Sequence, residues 1–494
     1  MKRLLLPKMH LFCQSSLAST TRAGPTGAAA QSLSPWKAVS AFEGVKNLPG
    51  IILTRFSFPR IPAPCLGSGD SPPPKNPTMK KFILLLGLLS TSLLFASGFS
   101  ILEQSVSGLG RGLAGMTAST DDPSALYFNP AGAAWVERPT LVLGNHLLTG
   151  KVKFHDDGST IPGHESGDII RKTLIPNMDY VYPIGDGLNL NLAMSATSGT
   201  ATNYHRNWVG RYFGIDTSIA VIEVLPSVSY RLSDTLAVGA GLMIDYAEMK
   251  ARQKLPTAAY GRDTKLQMKG DDVGIGFTLG VVWKPTETTT VGLGYRSRST
   301  YELDLDAKFY NIPPMLGAFL GTGTHYKDHA TLKLKMPQNV NFGIQQKIND
   351  RLTLMADIAW TQWSTMKEMT TVFQRGPLVT KNTQVMKWHD SWRFSFGGEY
   401  KLSDKWTLRC GTAFDQRAVT KQENKTVMLP DSHRIWACVG ASYQWNEHLR
   451  LDAGWNHIFF HRSHAIQKLS ETQYIKGTYR GYTDLLSLGL KYEF

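Results

Sequence analysis

From Pro139 to the last residue, apolar and polar positions alternate with a period of two in segments about ten residues long, the signature of strands with two unlike faces. In GLNLNLAMSAT (187–197), Leu188, Leu190, Leu192 and Met194 oppose Asn189, Asn191, Ala193 and Ser195. In DVGIGFTLGVVW (272–283), Val273, Ile275, Phe277, Leu279, Val281 and Trp283 oppose mainly Gly and Thr. RLTLMADIAW (351–360) and SWRFSFGGEY (391–400) repeat the pattern, with Asp357 and Arg393 on the polar side. Tight polar connectors, LSD (232–234), KPTET (284–288), IND (348–350) and LSD (402–404), alternate with long ones such as 415–433. About 14 such segments, with short turns at one end and long loops at the other, predict an all-β, 14-stranded antiparallel transmembrane β-barrel over residues 139–494. A soluble sandwich or propeller also alternates, but the strand length and the polar second face favour the barrel.

The chain ends in LLSLGLKYEF, with Leu486, Leu488, Leu490, Tyr492 and Phe494 on one face. In a barrel that face meets lipid. Phe494 then reads as the assembly signal for the barrel assembly machinery, on a strand expected to pair with the one starting near Pro139. A barrel of this size leaves an interior that needs a plug or a channel. Residues 97–138 do not alternate and are rich in Gly, Ala and Ser, as an N-terminal hatch in the lumen would be.

Upstream, Met79-Lys80-Lys81 precedes a mostly apolar run from Phe82 to Phe95 and then small residues. This is the layout of a secretory signal, assigned to residues 79–96, and the run is too short for a spanning helix. Residues 1–78 have no strand or helix period and are expected to be a disordered extension that precedes the true translation start.

Charge follows the same division. Residues 1–78 hold nine Lys/Arg against two Asp/Glu, and with Lys80 and Lys81 they account for most of the formal +14, leaving +5 for residues 82–494. No basic run tracks phosphates, which argues against a nucleic-acid partner. Cys410 and Cys438 lie on consecutive strands but on opposite faces, so no disulfide is expected between them. Enzyme and cofactor signatures are weak. GLGRG (108–112) lacks the strand and helix of a dinucleotide site, and His461 and His464 have no third metal ligand nearby in sequence. No metal or cofactor is expected.

SGLGRG (107–112), DDPSALYFNPA (121–131) and the following ERPT resemble the hatch of the FadL/TodX outer-membrane hydrocarbon transporters. NWVGRY (207–212), LPSVSYRLSD (225–234), MADIAWTQWS (355–364), KWHDSWRFSFGGEY (387–400), LPDSHRIW (429–436) and the terminal KYEF follow in the same order. The resemblance spans residues 97–494. It implies a plugged 14-stranded barrel in the bacterial outer membrane, surrounded by membrane lipid and lipopolysaccharide, monomeric, passively carrying long-chain fatty acids or other hydrophobic ligands. Monoaromatic hydrocarbon uptake is the alternative; an outer-membrane lipase and a surface adhesin are more distant ones.

By the same resemblance, Phe99 reaches the ligand pocket and Asn129, Pro130 and Ala131 form the hatch motif. In that motif Pro fixes a turn and Asn bonds backbone that the plug leaves unpaired. Arg434 faces the lumen, where it either pairs with a ligand carboxylate or forms a salt bridge with Asp390 or Glu399; Arg393 and Asp390 are expected to form a structural network. The apolar stretch FYNIPPMLGAFLGTG (309–323) reads as part of a long extracellular loop. Phe309, Ile312, Met315, Leu316, Phe319 and Leu320 are candidates there for a first capture groove.

Overall fold

The computed structural model describes residues 98–494; the expected extension at 1–78 and the expected signal at 79–96 lie outside the described residues. The strands are β1 (Thr140–Asp156), β2 (Thr173–Gly185), β3 (Leu188–Asn203), β4 (Asp216–Arg231), β5 (Leu236–Leu255), β6 (Thr264–Trp283), β7 (Thr289–Arg296), β8 (Ser299–Tyr310), β9 (His325–Met336) and β10 (Asn339–Lys347). They continue as β11 (Leu352–Thr361), β12 (Glu368–Phe373), β13 (Lys381–Val385), β14 (Ser391–Lys401), β15 (Trp406–Asp415), β16 (Arg434–Gln444), β17 (Leu449–Phe460), β18 (Ser463–Lys468) and β19 (Tyr474–Glu493).

These segments form 14 staves, because five staves are interrupted. β7 and β8 both pair with β6, on either side of Ser297–Arg298. β9 with β10, β11 with β12, β14 with β13, and β17 with β18 likewise continue one another across short breaks. The barrel closes where β19 pairs with β1, from Thr140↔Glu493 to Asp156↔Gly477, and the Phe494 amide donates to the Pro139 carbonyl at 2.9 Å. Closure leaves no unpaired edge at the seam, which a spanning sheet requires in lipid. Phe494 packs against Tyr492 and Tyr180 at the periplasmic rim.

Outward positions on β6 run Val273, Ile275, Phe277, Leu279, Val281, Trp283, all exposed. Apolar side chains alternating with buried small or polar ones along β6 make a lipid belt. β5, β6 and β19 are each 20 residues long, about twice what crosses the hydrocarbon, so the barrel projects well above the bilayer. Above the belt the two faces exchange chemistry. Outward residues become Lys265, Lys269, Glu302, Lys308, Lys333 and Lys335, while Leu266, Leu303, Leu305, Leu332 and Leu334 are buried inside. The upper lumen is an apolar cup standing in water.

The hatch fills the lower lumen with a short helix (Val106–Leu109) and two 3₁₀ turns (Pro123–Ala125, Pro130–Trp135). Wall glycines admit its backbone. At Gly411 a Cβ would overlap the Arg111 carbonyl, and at Gly294 the Phe128 carbonyl.

Candidate functional site

The first described residues of the chain reach up the inner wall and join β3. Ile101 N–H donates to the Thr197 carbonyl at 2.9 Å, Gly199 N–H to the Phe99 carbonyl at 2.8 Å, and Ser100 bridges Ser198. They meet β3 where its register slips between Ala196 and Ser198. The β2–β3 ladder stops at Asn177↔Ser195, although β3 runs on to Asn203 paired with β4. Among the described residues no β2 residue pairs with Ala196–Thr202, so the ladder is broken there; residues 99–101 lie across the gap, and at its far end Asn203 N–H donates to the Ile169 carbonyl.

This segment places Phe99 in an aromatic clamp. Its ring centre lies 5.2 Å from Trp363 and 6.2 Å from Trp388, whose own rings are 5.2 Å apart. All three are buried, in the same cluster as Met366 and Met386. Gly98 has φ +69, and a Cβ there would collide with the Trp363 ring, so backbone freedom and the absence of a side chain are both needed. Trp363 sits on the 3₁₀ turn in the break between β11 and β12, and Trp388 in the break before β14. The interruptions in the staves are therefore what bring both rings inward. Above the clamp, Tyr204 stacks on Trp208 at 4.0 Å, Phe154 packs on Trp208 and Tyr479, and Val427–Leu429 of the 415–433 loop close over them.

Beside the N-terminal segment is a cavity of about 60 Å³ lined by Ser100, Leu102, Tyr127, Asp245, Arg296, Tyr301 and Arg393. Arg296 pairs with Glu223, donates to the Tyr127 carbonyl at 3.1 Å and lies 4.1 Å from the centre of its ring. Tyr301 donates to Asp245 at 2.9 Å. Pockets for ligands of drug size run to about 300–1,000 Å³, so this cavity is smaller than such a ligand.

Arg434 is 1% exposed, 3.6 Å from Asp415 and 3.6 Å from Asp431. Its expected partners were Asp390 and Glu399. The β15–β16 register instead sets Arg434 opposite Asp415, Glu399 is taken by Arg111 and Arg409 at 3.1 and 3.3 Å, and Asp390 accepts from the Ser364 amide. Arg393 donates to Ser395 at 2.7 Å, and among the described residues it makes no ion pair with Asp390, contrary to expectation. At 3.6 Å a contact is Coulombic, not a hydrogen bond. Among the described residues both terminal nitrogens of Arg434 and the indole N–H groups of Trp363 and Trp388 have no acceptor. Glu103, four residues after Phe99, is buried; desolvation raises its pKa to about 6 against the pull of the Leu102 amide and of Arg434. Burial likewise raises Asp431 despite Arg434.

The lower hatch is held by charge. Asp357 accepts from the amides of Gly115 and Thr117 and from the Thr117 hydroxyl. Asp122 is buried, yet Arg450 at 3.2 Å and the Ser107 and Ser124 hydroxyls hold its carboxyl well below the usual range. Asn129 donates to the Thr117 and Val281 carbonyls at 2.8 and 3.0 Å and accepts from the Ala131 amide, with Pro130 opening the 3₁₀ turn.

The apolar segment 309–323 divides. Phe309 is the inward end of β8, packed on Tyr326 and Phe373, and Ile312 is fully buried. Alternation from Leu303 carries the wall through Phe309, so these two belong to the cup and not to an exposed loop. Met315 (75% exposed) and Phe319 (86%) project from a helix, Pro314–Leu320, while Leu316 packs on the cup and Leu320 is half-buried.

Residues 87–494 match the model of the outer membrane protein transport family, OMPP1/FadL/TodX. The chain belongs to that family. A long-chain fatty acid transport protein of Escherichia coli is 25% identical over 415 residues, covering 76% of this chain and 91% of that one. A 47 kDa outer membrane protein of Pasteurella multocida is 27% identical over 382 residues, 74% and 87% of the two chains. The barrel is also that of a Pseudomonas aeruginosa FadL homologue (TM-score 0.73, 24% identity, 80% and 100% covered). The Pseudomonas putida toluene transporter TodX shares it too (TM-score 0.59, 17% identity, 82% and 99% covered). Family and fold together place the protein in the outer membrane as a transport protein.

Sequence reasoning missed Trp363 and Trp388, although both lie in motifs that carried the resemblance. It also missed the cup, whose signal was there to find: strands keep alternating while the lysines and the leucines trade faces.

Proposed function

We propose that the protein carries long-chain fatty acids passively across the outer membrane, without catalysis. The observation that carries this reading is the pairing of an apolar path with buried polar donors that lack a hydrogen-bond acceptor. An acyl chain partitions into the leucine-lined cup, gaining about 0.8 kcal/mol per buried CH₂. Met315 and Phe319 offer it a first foothold, and Phe99 yields its place between the tryptophans. The carboxylate then finds Trp363 Nε1, Trp388 Nε1 and the Arg434 guanidinium. Withdrawal of residues 99–101 uncovers the opening beside β3, a lateral way out into the membrane. The relative named a long-chain fatty acid transport protein supports this choice.

Monoaromatic hydrocarbons are the second reading, favoured by the aromatic clamp and by the relative named a toluene transporter. Competition between palmitate and toluene for the purified protein separates the two. Arg434→Lys keeps the charge but loses the planar fork, and should weaken palmitate about tenfold while leaving toluene unchanged. Labelled oleate and toluene uptake that is equal in cells with and without the gene would defeat both.

A further inference from the structure

The break that brings Trp363 inward also opens a recess on the outside of the barrel. The β10–β11 ladder ends at Asn339↔Thr361, and the β9–β12 ladder starts only at Leu332↔Thr371. Between them lies an open hollow of about 680 Å³ lined by Arg298, Lys333, Lys335 and Lys367, with Glu368 as its acid. Lys387 is exposed alongside, its amide bonded to the Lys367 carbonyl. Lys333 is paired with Glu302 at 2.6 Å, and Arg298 donates to Gln362. Among the described residues the ammonium groups of Lys335, Lys367 and Lys387 have no partner.

Depth gives the hollow its meaning. The last outward residues of the lipid belt on these staves are Tyr295, Val340 and Trp360. Arg298 follows Tyr295 by three residues, about 10 Å along the strand at 3.3 Å per residue. The basic hollow therefore sits one headgroup above the outer edge of the hydrocarbon, with an apolar wall directly below.

We propose that this hollow binds the phosphorylated headgroup of an outer-leaflet glycolipid, lipopolysaccharide, whose acyl chains lie along Tyr295, Val340 and Trp360. Two phosphates meet several cations within one recess, which a zwitterionic headgroup matches poorly. A bound lipid would also brace the break on whose inner side Trp363 is held.

Native mass spectrometry of the purified full barrel with bisphosphorylated lipid A tests this. Each lysine near an anionic surface contributes about fivefold in affinity, so Lys335→Ala, Lys367→Ala and Lys387→Ala together should weaken binding by about a hundredfold. Dephosphorylated lipid A should bind the wild type as weakly as the triple variant binds the intact lipid, and the triple variant should keep its oleate affinity. Binding of the triple variant within twofold of wild type overturns the proposal. So does displacement of lipid A by an equal concentration of inorganic phosphate, which would mark a free-anion site, or by oleate, which would make the hollow part of the substrate path.

Discussion

Glu103 makes the N-terminal strap of the hatch sensitive to pH, and the effect can be worked through. Its carboxyl is buried, with Leu102 N–H at 2.8 Å and Arg434 nearby, and its pKa stands at about 6 against an ordinary 4.5. A folded-state pKa above the unfolded one means the associated stability is fully present below pH 4.5. It is lost as pH rises through about 6. The 1.5-unit difference corresponds to about 2 kcal/mol, or roughly 30-fold in the opening equilibrium of the strap. Glu103→Gln fixes the neutral form and keeps an oxygen to accept from Leu102. At pH 7.5 it should slow hydrogen exchange of the Ile101 and Gly199 amides by up to about 30-fold after correction for intrinsic rates, and at pH 4 the two proteins should agree. A wild type whose protection is flat from pH 4 to 8, or a variant that differs from it equally at every pH, would refute the reasoning.

Four further outcomes follow from the geometry. Phe99→Ala empties the clamp and should cost about 3 kcal/mol locally, read as red-shifted Trp363 and Trp388 emission and weaker ligand binding with barrel melting unchanged. Gly98→Ala should disturb the same emission without removing Phe99, and a spectrum identical to wild type would contradict the collision inferred at Trp363. Asp357→Asn weakens charged hydrogen bonds worth about 1.5–3 kcal/mol each and should raise protease sensitivity at Gly115–Thr117 while SDS heat-modifiability persists. Leu279→Arg on the lipid face should destabilise the barrel by about 2–4 kcal/mol near the midplane, measured by refolding into bilayers.

What the sequence could reveal depended on range. Outward Leu190 and Ile358 and inward Asn191 and Asp357 follow from strict alternation, which is local, so the staves and their lipid faces were readable. The five interruptions were not, because alternation resumes beyond each gap and only hydrogen-bond partners reveal that pairing has stopped. Arg434 teaches the same lesson. That it points inward is a matter of parity, but its partner Asp415 depends on the β15–β16 register across a long loop, and that register is a tertiary fact. Phe309 was placed in a loop because its flanks are Pro- and Gly-rich, whereas the wall continues through it above the membrane.

The distribution of forces within the hatch argues for how it moves. Its lower part is tied by a continuous chain of alternating charge, Arg111–Glu399–Arg409–Asp452–Arg450–Asp122, that crosses twice between plug and wall, reinforced by Asp357. Each link has at least one buried partner, and stranding a buried charge costs about 3–5 kcal/mol. Its upper strap is tied by two backbone hydrogen bonds to β3, by the Gln104 amide, which donates to the Ile101 and Ala196 carbonyls, and by one aromatic ring. A backbone bond is worth about 1 kcal/mol net, and Phe99 can be replaced between the tryptophans by another apolar group without leaving a void. The strap is therefore the more weakly held part of the hatch, and in the proposed transport reading it is the part that yields to a ligand while the floor stays shut. In the proposed transport reading, the break beside β3 is the exit and the charged floor of the hatch stays closed.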